Sequence, residues 1–109
     1  MGEIVTPDYT KRNEQILAQL EELGGGYVWE PEIFAVNLME VSLSDAQASV
    51  LCGLKGVEQV AINASRLSFP AIEAIARIPG LHSLVLSDVS LSSDQETLLN
   101  AVVAVLEVM

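Results

Sequence analysis

Two side chains in this sequence could act as a nucleophile or a general base, Cys52 and His82, and each is the only residue of its type. A cysteine–histidine dyad requires the thiol and the imidazole to lie within hydrogen-bonding distance. The repeat pattern described below places Cys52 on a helix and His82 at the start of a strand, on the other side of the fold. We therefore expect Cys52 to be a small, partly buried side chain and His82 to be exposed.

The acidic residues and the glycine run offer no clearer catalytic arrangement. Glu21 with Glu22, and Glu30 with Glu32, are the closest carboxylate pairs, and they fall on a helix surface and in a turn without an evident pocket. The glycines at 24–26 follow a predicted helix instead of preceding one, so they indicate a helix stop and not a phosphate loop. Cysteine and histidine lack the spacing of a metal site. We predict no catalytic residue, no cofactor and no metal, and hence no enzyme.

The composition indicates one small domain, over residues 1–109, with an aliphatic core. Hydrophobic residues make up 50 % of the chain, whereas aromatic residues make up only 5 %. The net charge of −10 disfavours nucleic-acid and anionic membrane binding. It is compatible with a basic protein partner, but a solvated acidic surface is the more common meaning of such a charge. No apolar run reaches the roughly 18 residues of a membrane span, and the start of the chain lacks a signal-peptide pattern. We expect a cytoplasmic protein.

Residues 1–32 are predicted to form a helix and a hairpin that precede the rest of the fold. Thr6 can cap a helix and Pro7 suits its first position. Apolar residues at helical spacing predict that this helix extends over 7–23. They are Ile16, Leu17, Leu20 and Leu23.

The hairpin is predicted from the strand propensity of residues 27–29 and from a turn at Pro31. The spacing leaves open which of Tyr27 and Trp29 faces outward. These two residues and Phe34 form an aromatic group that either packs over the first repeat or anchors an interface.

From residue 33 the chain repeats with a 24-residue period, in units 33–56, 57–80 and 81–104. Within each unit, apolar residues recur at the first, fourth, sixth and eleventh positions and again in a following helical segment. The aligned positions are Ile33, Val57 and Leu81; Val36, Val60 and Leu84; Leu38, Ile62 and Leu86; Leu43, Leu67 and Leu91; Leu51, Ile75 and Leu99; and Leu54, Ile78 and Val102. The pattern predicts a strand, a bend and a helix in each unit.

A serine follows the eleventh position of each unit and can cap its helix. These residues are Ser44, Ser68 and Ser92. Two of them have a glutamine three residues later, which is the spacing of a capping box. Gly56 and Gly80 close the first two units and favour a turn into the next strand.

The motif L-x-x-L-x-L-x-x-x-x-L resembles a leucine-rich repeat. The 24-residue unit, the Ser-Asp-Ala helix start at Ser44 and the Leu-x-x-Leu ending at Leu51 are similar to bacterial leucine-rich repeat proteins. The helix end before residue 24 and the short hairpin resemble their N-terminal capping segment. The resemblance covers residues 12–104 and implies an α/β solenoid, with parallel strands on the concave face and helices on the convex face. The ninth position departs from the family, which often has Asn or Cys there; it reads Val41, Ser65 and Val89.

The apolar tail, residues 105–109, has two interpretations. It extends the last helix over the core, or it begins a fourth strand with Val105 and Val108 at the first and fourth positions of a new unit. We favour the helix because no glycine or proline interrupts it. A strand would leave an open edge that could pair with another chain.

The candidate partner-binding surface is the concave face, where residues between the buried positions of each strand point outward. Ala35 and Ala61 belong to this face, and Glu40 borders it. The alternative is that these small residues only fit a curved sheet. The predicted partner-binding residues are Asn37, Met39, Gln59, Asn63, Ser83, Val85, Ser87 and Asp88.

The function these features favour is a non-catalytic protein–protein interaction module. A small acidic bacterial protein of this kind could neutralise a basic toxin or nuclease, as an immunity protein does, because its charge would speed association. The alternative is structural homo-oligomerisation, a homodimer formed through the C-terminal tail. A small enzyme or regulatory subunit is a third hypothesis, which requires a pocket beside a pair of titratable groups.

Overall fold

The computed structural model describes residues 9–30 and 33–109. Four helices and five strands occur in this part of the chain, which confirms the predicted α/β class. The helices are α1 (Tyr9–Glu22), α2 (Asp45–Leu51), α3 (Phe69–Ala76) and α4 (Ser93–Val102). The strands are β1 (Gly26–Glu30), β2 (Ile33–Ser42), β3 (Gln59–Asn63), β4 (Ser83–Ser87) and β5 (Val105–Val108). The predicted helix start at Thr6 and Pro7 and the turn residues Pro31 and Glu32 lie outside the described residues.

The strands form one sheet in the order β1-β2-β3-β4-β5, so each strand lies beside its neighbours in sequence. β1 is antiparallel to β2, and all later pairs are parallel. Val36 pairs with Val60, and Val60 pairs with Leu84. Both steps equal the 24-residue period, so the periodicity read from the sequence is the register of the sheet from β2 to β4.

The tail is a strand, and our preference for a helical tail is wrong. α4 ends at Val102, and β5 pairs in parallel with β4. The predicted alignment of the tail with the earlier repeats is also wrong, because Leu84 pairs with Leu106 and not with Val108. This last step is two positions shorter than the repeat period. Its physical reason is the connection between helix and strand: α4 is longer than α2 and α3, and only two residues separate it from β5.

The core lies between the helices and one face of the sheet. The apolar residues at the fourth and sixth repeat positions are all buried, together with apolar residues from all four helices. The fully buried side chains of the strands include Leu38, Ile62, Leu84 and Leu86. Because strand side chains alternate between faces, the opposite face of the sheet is left open. No helix in the described ranges has both the length and the apolar character required to cross a bilayer.

The helix starts follow the predicted capping chemistry. Ser44 and Ser92 each form a capping box, in which the hydroxyl accepts from the backbone N–H three residues on and a glutamine side chain accepts from the serine N–H. Ser68 caps α3 and accepts from Ala71 N–H. These local bonds satisfy backbone donors that the first helical turn leaves free.

The glycines after α1 end the helix in the predicted way. Gly24 has a φ of 102°, and its N–H donates to Glu21 O, while Gly25 N–H donates to Leu20 O. This is the Schellman arrangement, which requires a left-handed residue that glycine adopts without a steric penalty. The predicted turns at Gly56 and Gly80 also have positive φ.

A buried polar contact attaches α1 to the first repeat. The Asn13 side chain is fully buried. Its amide donates to Lys55 O at 2.8 Å, and its amide oxygen accepts from Lys55 N–H at 3.0 Å. Asn13 therefore satisfies both backbone groups of one residue in the loop between α2 and β3, which the apolar stripe of the helix did not predict.

Candidate functional site

The open face of the sheet is formed by side chains in rows that run across the five strands. The pairing register places consecutive members of a row beside one another. The first row is Val28, Ala35, Gln59, Ser83 and Val105. The second row is Gly26, Asn37, Ala61, Val85 and Glu107. The open face is thus continuous from the first strand to the last.

A shallow groove of about 420 Å³ runs over this face from β1 to β4. Small side chains form its floor, Ala35 and Ala61 among them, and Gly26 leaves space at the edge. Val28 and Val85 add apolar surface. The groove forms where the side chains on the open face of the paired strands are short.

The structure brings four of the predicted residues together at this groove. They are Asn37, Gln59, Ser83 and Val85. Met39 lies beside it in a second depression of about 280 Å³, which Asn37 and Glu40 also line. Ser87 is only 9 % exposed, and its hydroxyl donates to Ile62 O at 3.4 Å, so it offers little contact surface.

The asparagines on this face also bond to the backbone two residues further along the chain. Asn37 accepts from Met39 N–H within β2, and Asn63 accepts from Ser65 N–H at the end of β3, both at 3.0 Å through the side-chain oxygen. At Asn63 this is an Asx turn, which redirects the chain after the strand. At Asn37 the bond lies next to the irregularity in the pairing of β2 with β3. The Asn63 amide also donates to Asp88 Oδ2 at 2.9 Å. Asp88 has a φ of 58°, a left-handed conformation that aspartate tolerates better than most residues.

The electrostatics of the open face are neutral at the centre and acidic at the boundary. The described residues that line the groove carry no charged side chain. Glu107 closes the second row, Glu40 is exposed near the end of β2, and Asp88 is exposed just after β4. A partner that rests on this face would meet an uncharged centre and a negative margin.

Residues from β1 and β5 belong to the open face but were not predicted. Val28 and Gly26 lie on this face because of the register of the hairpin, which the sequence did not determine. Val105 and Glu107 enter it because the tail is a strand. A signal for β5 was present, since valines make up four of the eight residues from 101 to 108 and valine favours strands.

The aromatic group divides between the core and the sheet edge. Phe34 is buried. Tyr27 pairs with Val36, so it lies on the helix side of the sheet, and it is exposed at the edge strand. The side chain of Trp29 lies outside the described residues. Packing against the first repeat is thus the role of Phe34, whereas Tyr27 leaves apolar surface open to solvent.

Cys52 and His82, which were considered for catalysis, lie apart from the groove, and so does Asp45, whose pKa is shifted. Cys52 is half-buried at the end of α2, where desolvation raises the pKa of its thiol, and His82 is exposed before β4, as expected. Asp45 accepts from the backbone N–H and the hydroxyl of Ser68, and these hydrogen bonds lower the pKa of its carboxyl. This contact joins the starts of α2 and α3. Within the described ranges, no three His, Cys, Asp or Glu residues group in a way that could hold a metal ion.

Comparisons of the chain with protein-family models, with curated proteins and with solved structures find no match. The resemblance to leucine-rich repeats therefore stays a prediction from the spacing of the residues. The function of the chain has to be inferred from its surface.

Proposed function

We propose that this chain is a non-catalytic protein-binding module that recognises its partner with the open face of the sheet. The observation that carries this proposal is the groove between β1 and β4. It combines small uncharged side chains with exposed polar groups at Asn37 and Gln59. The absence of charged side chains from the centre of this face is a feature that it shares with the centres of protein interfaces.

The fold we propose for the module is a short solenoid of the leucine-rich-repeat type. The 24-residue steps between Val36, Val60 and Leu84 support it, as does the repetition of a serine-capped helix after each of β2, β3 and β4. In such an array α1 and β1 would act as the N-terminal cap. The open face would be the concave surface, which repeat proteins use for binding.

The partner we propose is a basic protein. The net charge of −10 gives the chain a negative field that attracts cationic surfaces and speeds association. The acidic margin of the face, with Glu40, Asp88 and Glu107, would lie against the periphery of the contact. Neutralising a basic toxin or nuclease, as an immunity protein does, is the function of this class that best suits a small acidic chain.

The test is affinity capture from a lysate of the source organism, followed by measurement of the affinity of the recovered partner. Gln59→Lys places a cation at the centre of the open face, where the side chain of Gln59 is exposed to solvent. Gln15→Lys makes the same chemical change on the exposed side of α1 and is the matched control. We expect Gln59→Lys to weaken binding by about tenfold or more, as central interface substitutions do, and Gln15→Lys to leave it unchanged.

A charge contrast at the same position tests the chemistry of the partner. Gln59→Glu nearly preserves the size of the side chain and adds a negative charge, whereas Gln59→Lys adds a positive one. A basic partner should bind Gln59→Glu more tightly than Gln59→Lys, and the difference should shrink as salt is added. Equal affinity of both variants for the wild-type partner would place the binding site elsewhere on the molecule.

Self-association is a second candidate function, and one observation favours it. β5 is the last strand of the sheet, and apolar side chains stand exposed on it and after it: Val105 is 41 % and Met109 is 70 % exposed. An edge strand with exposed apolar side chains can pair with another chain. Light scattering over a range of protein concentrations tests whether the chain forms a homodimer.

A further inference from the structure

The groove on the open face adjoins an acidic depression beside the N-terminal hairpin. Gly26 and Asn37 line both the groove and the depression of about 280 Å³, so the two cavities are neighbours. Glu40 lines the depression, whereas the described residues that line the groove include no charged side chain. One end of the uncharged groove therefore leads to a carboxylate.

An irregularity in β2 brings Glu40 to this side of the sheet. Between its pairs with Ile62 and Asn63, which are adjacent in β3, β2 carries the additional residues 39–41. Bulges of this kind re-aim side chains and are common beside functional sites. In a regular strand Glu40 would share the buried face with Leu38, but here it is exposed to solvent and lines the depression.

The carboxylate of Glu40 is available to a partner. The only salt bridge within the described residues joins Arg77 to Glu73, so Glu40 is paired with no cation in this part of the chain. By contrast, the carboxylate of Asp88 already accepts a hydrogen bond within the chain. Glu107 lines neither the groove nor the depression. Within the acidic margin, Glu40 is therefore the residue that continues the groove.

The end of α1 adds negative potential at the same place. Gly24, which follows α1, also lines the depression. The C-terminal end of a helix carries a partial negative charge that attracts cations, and the last turn of α1 contains no basic residue. Glu21 and Glu22 lie in that turn with exposed side chains. A cation is therefore the chemical group that suits this depression.

We propose that a lysine or arginine side chain of the partner protein lies across the open face, with its cationic end in the depression beside Glu40. Its aliphatic stem would rest on the small side chains of the groove floor, Ala35 and Ala61. Basic side chains combine an apolar stem with a charged end, which matches an uncharged groove that leads to a carboxylate. The inference rests on the proposed protein-binding function and specifies how the partner is recognised.

The test uses blocked amino acids as probes, because they can be applied before the partner is known. N-acetyl-lysine methylamide and N-acetyl-norleucine methylamide share a four-carbon stem, and only the lysine probe carries an ammonium group. The chemical shifts of the backbone amides of Gly26, Met39 and Ala61 report binding to the full chain. We expect the lysine probe to bind roughly two- to fivefold more tightly than the norleucine probe, which is the contribution of an exposed ion pair.

Two variants locate the charge that produces this preference. Glu40→Gln and Glu107→Gln make the same chemical change at exposed glutamates and alter the net charge equally. Glu40→Gln should abolish the preference for lysine and leave binding of the norleucine probe unchanged, because the contacts of the stem are retained. Glu107→Gln should keep the preference, since it lowers only the general negative field of the chain.

Four results would overturn the inference. No shift of these amides with either probe removes the site. Equal binding of the two probes assigns the groove to an apolar side chain. Equal effects of Glu40→Gln and Glu107→Gln assign the preference to the whole acidic surface. A captured partner that binds Glu40→Gln as tightly as wild type, while the lysine probe still depends on Glu40, assigns the depression to a free amine.

The probe titrations and the capture experiment fail separately. The proposed protein-binding function depends on the effect of Gln59→Lys on the captured partner, whereas the cation site depends on the preference for lysine in the wild-type chain. A lost preference with an intact effect of Gln59→Lys would therefore remove the cation site alone.

Discussion

Replacing Asn13 by alanine tests how α1 is attached to the rest of the fold. The Asn13 side chain is fully buried, and its amide closes two hydrogen bonds with the backbone of Lys55, a residue 42 positions away. Asn13→Ala removes both bonds and leaves the helix itself intact. The substitution therefore isolates one tertiary contact of the N-terminal segment.

The magnitude follows from three contributions. Each lost hydrogen bond costs about 1 kcal/mol. Alanine favours the helix over asparagine by about 0.5 kcal/mol, which offsets part of that loss. Lys55 is an exposed residue, so water can reach its freed backbone groups and limit the further penalty. We expect the free energy of unfolding to fall by about 1.5 kcal/mol, which is the loss of both bonds less the gain in helix propensity.

The assay is urea unfolding followed by far-ultraviolet circular dichroism. For a chain of this length the dependence on urea is about 1–1.5 kcal/mol per molar, so the midpoint should fall by about 1 M. Asn100→Ala is the matched control, because Asn100 is exposed and its amide donates to Glu96 O within its own helix. That substitution should change the free energy of unfolding by no more than about 0.5 kcal/mol.

The expectation is refuted if Asn13→Ala lowers the stability no more than Asn100→Ala does. Such a result would mean that the two bonds to Lys55 contribute no more than an exposed bond. α1 would then be held by its apolar stripe alone.

Two further substitutions follow from contacts in the same region. Gly25→Ala should lower the free energy of unfolding by about 1–3 kcal/mol, as overpacking does, because an added Cβ would overlap the side chain of Leu38. Gly26→Ala is the control, since a Cβ at Gly26 meets no neighbouring atom, and it should have little effect in the same urea assay. Asp45→Asn should destabilise the protein at neutral pH and progressively less in acid. The hydrogen bonds from Ser68 lower the pKa of the Asp45 carboxyl in the folded state, so their contribution is present above the ordinary value of 3.8 and is lost as the pH falls through the lower folded pKa. Unfolding curves of wild type and variant that converge in acid would confirm this sign, and a constant difference at all pH values would contradict it.

The features predicted correctly from the sequence depend on residues close together in the chain. The capping boxes at Ser44 and Ser92 involve a glutamine three positions away, and the helix stop at Gly24 depends on the last turn of α1. The 24-residue register from β2 to β4 was also predictable. It follows from a period that places Val60 and its equivalents on one face of every strand.

Part of the candidate site was predictable for the same reason. Alternation along a strand places Asn37, Gln59 and Val85 on the face opposite the core, and the structure brings them to one groove. The contributions of Val28 and Val105 were not predictable. The first depends on the hairpin register and the second on the conformation of the tail.

The repeating unit was predictable from the residues alone: a capped helix after each of β2, β3 and β4, and apolar positions that share one face. The end of the array was not, because it depends on contacts between residues far apart in the chain. No glycine or proline marks the end of α4, although the valines that follow favour a strand, and the chain forms β5. The physical reason is pairing between residues far apart in the chain, because β5 forms hydrogen bonds with the backbone groups of β4 that face away from β3. Val103, which precedes β5, packs in the core, and the side chain of Leu106 packs on the helix side of the sheet. The register of that last strand, and with it the second edge of the sheet, depends on contacts that no local pattern specifies.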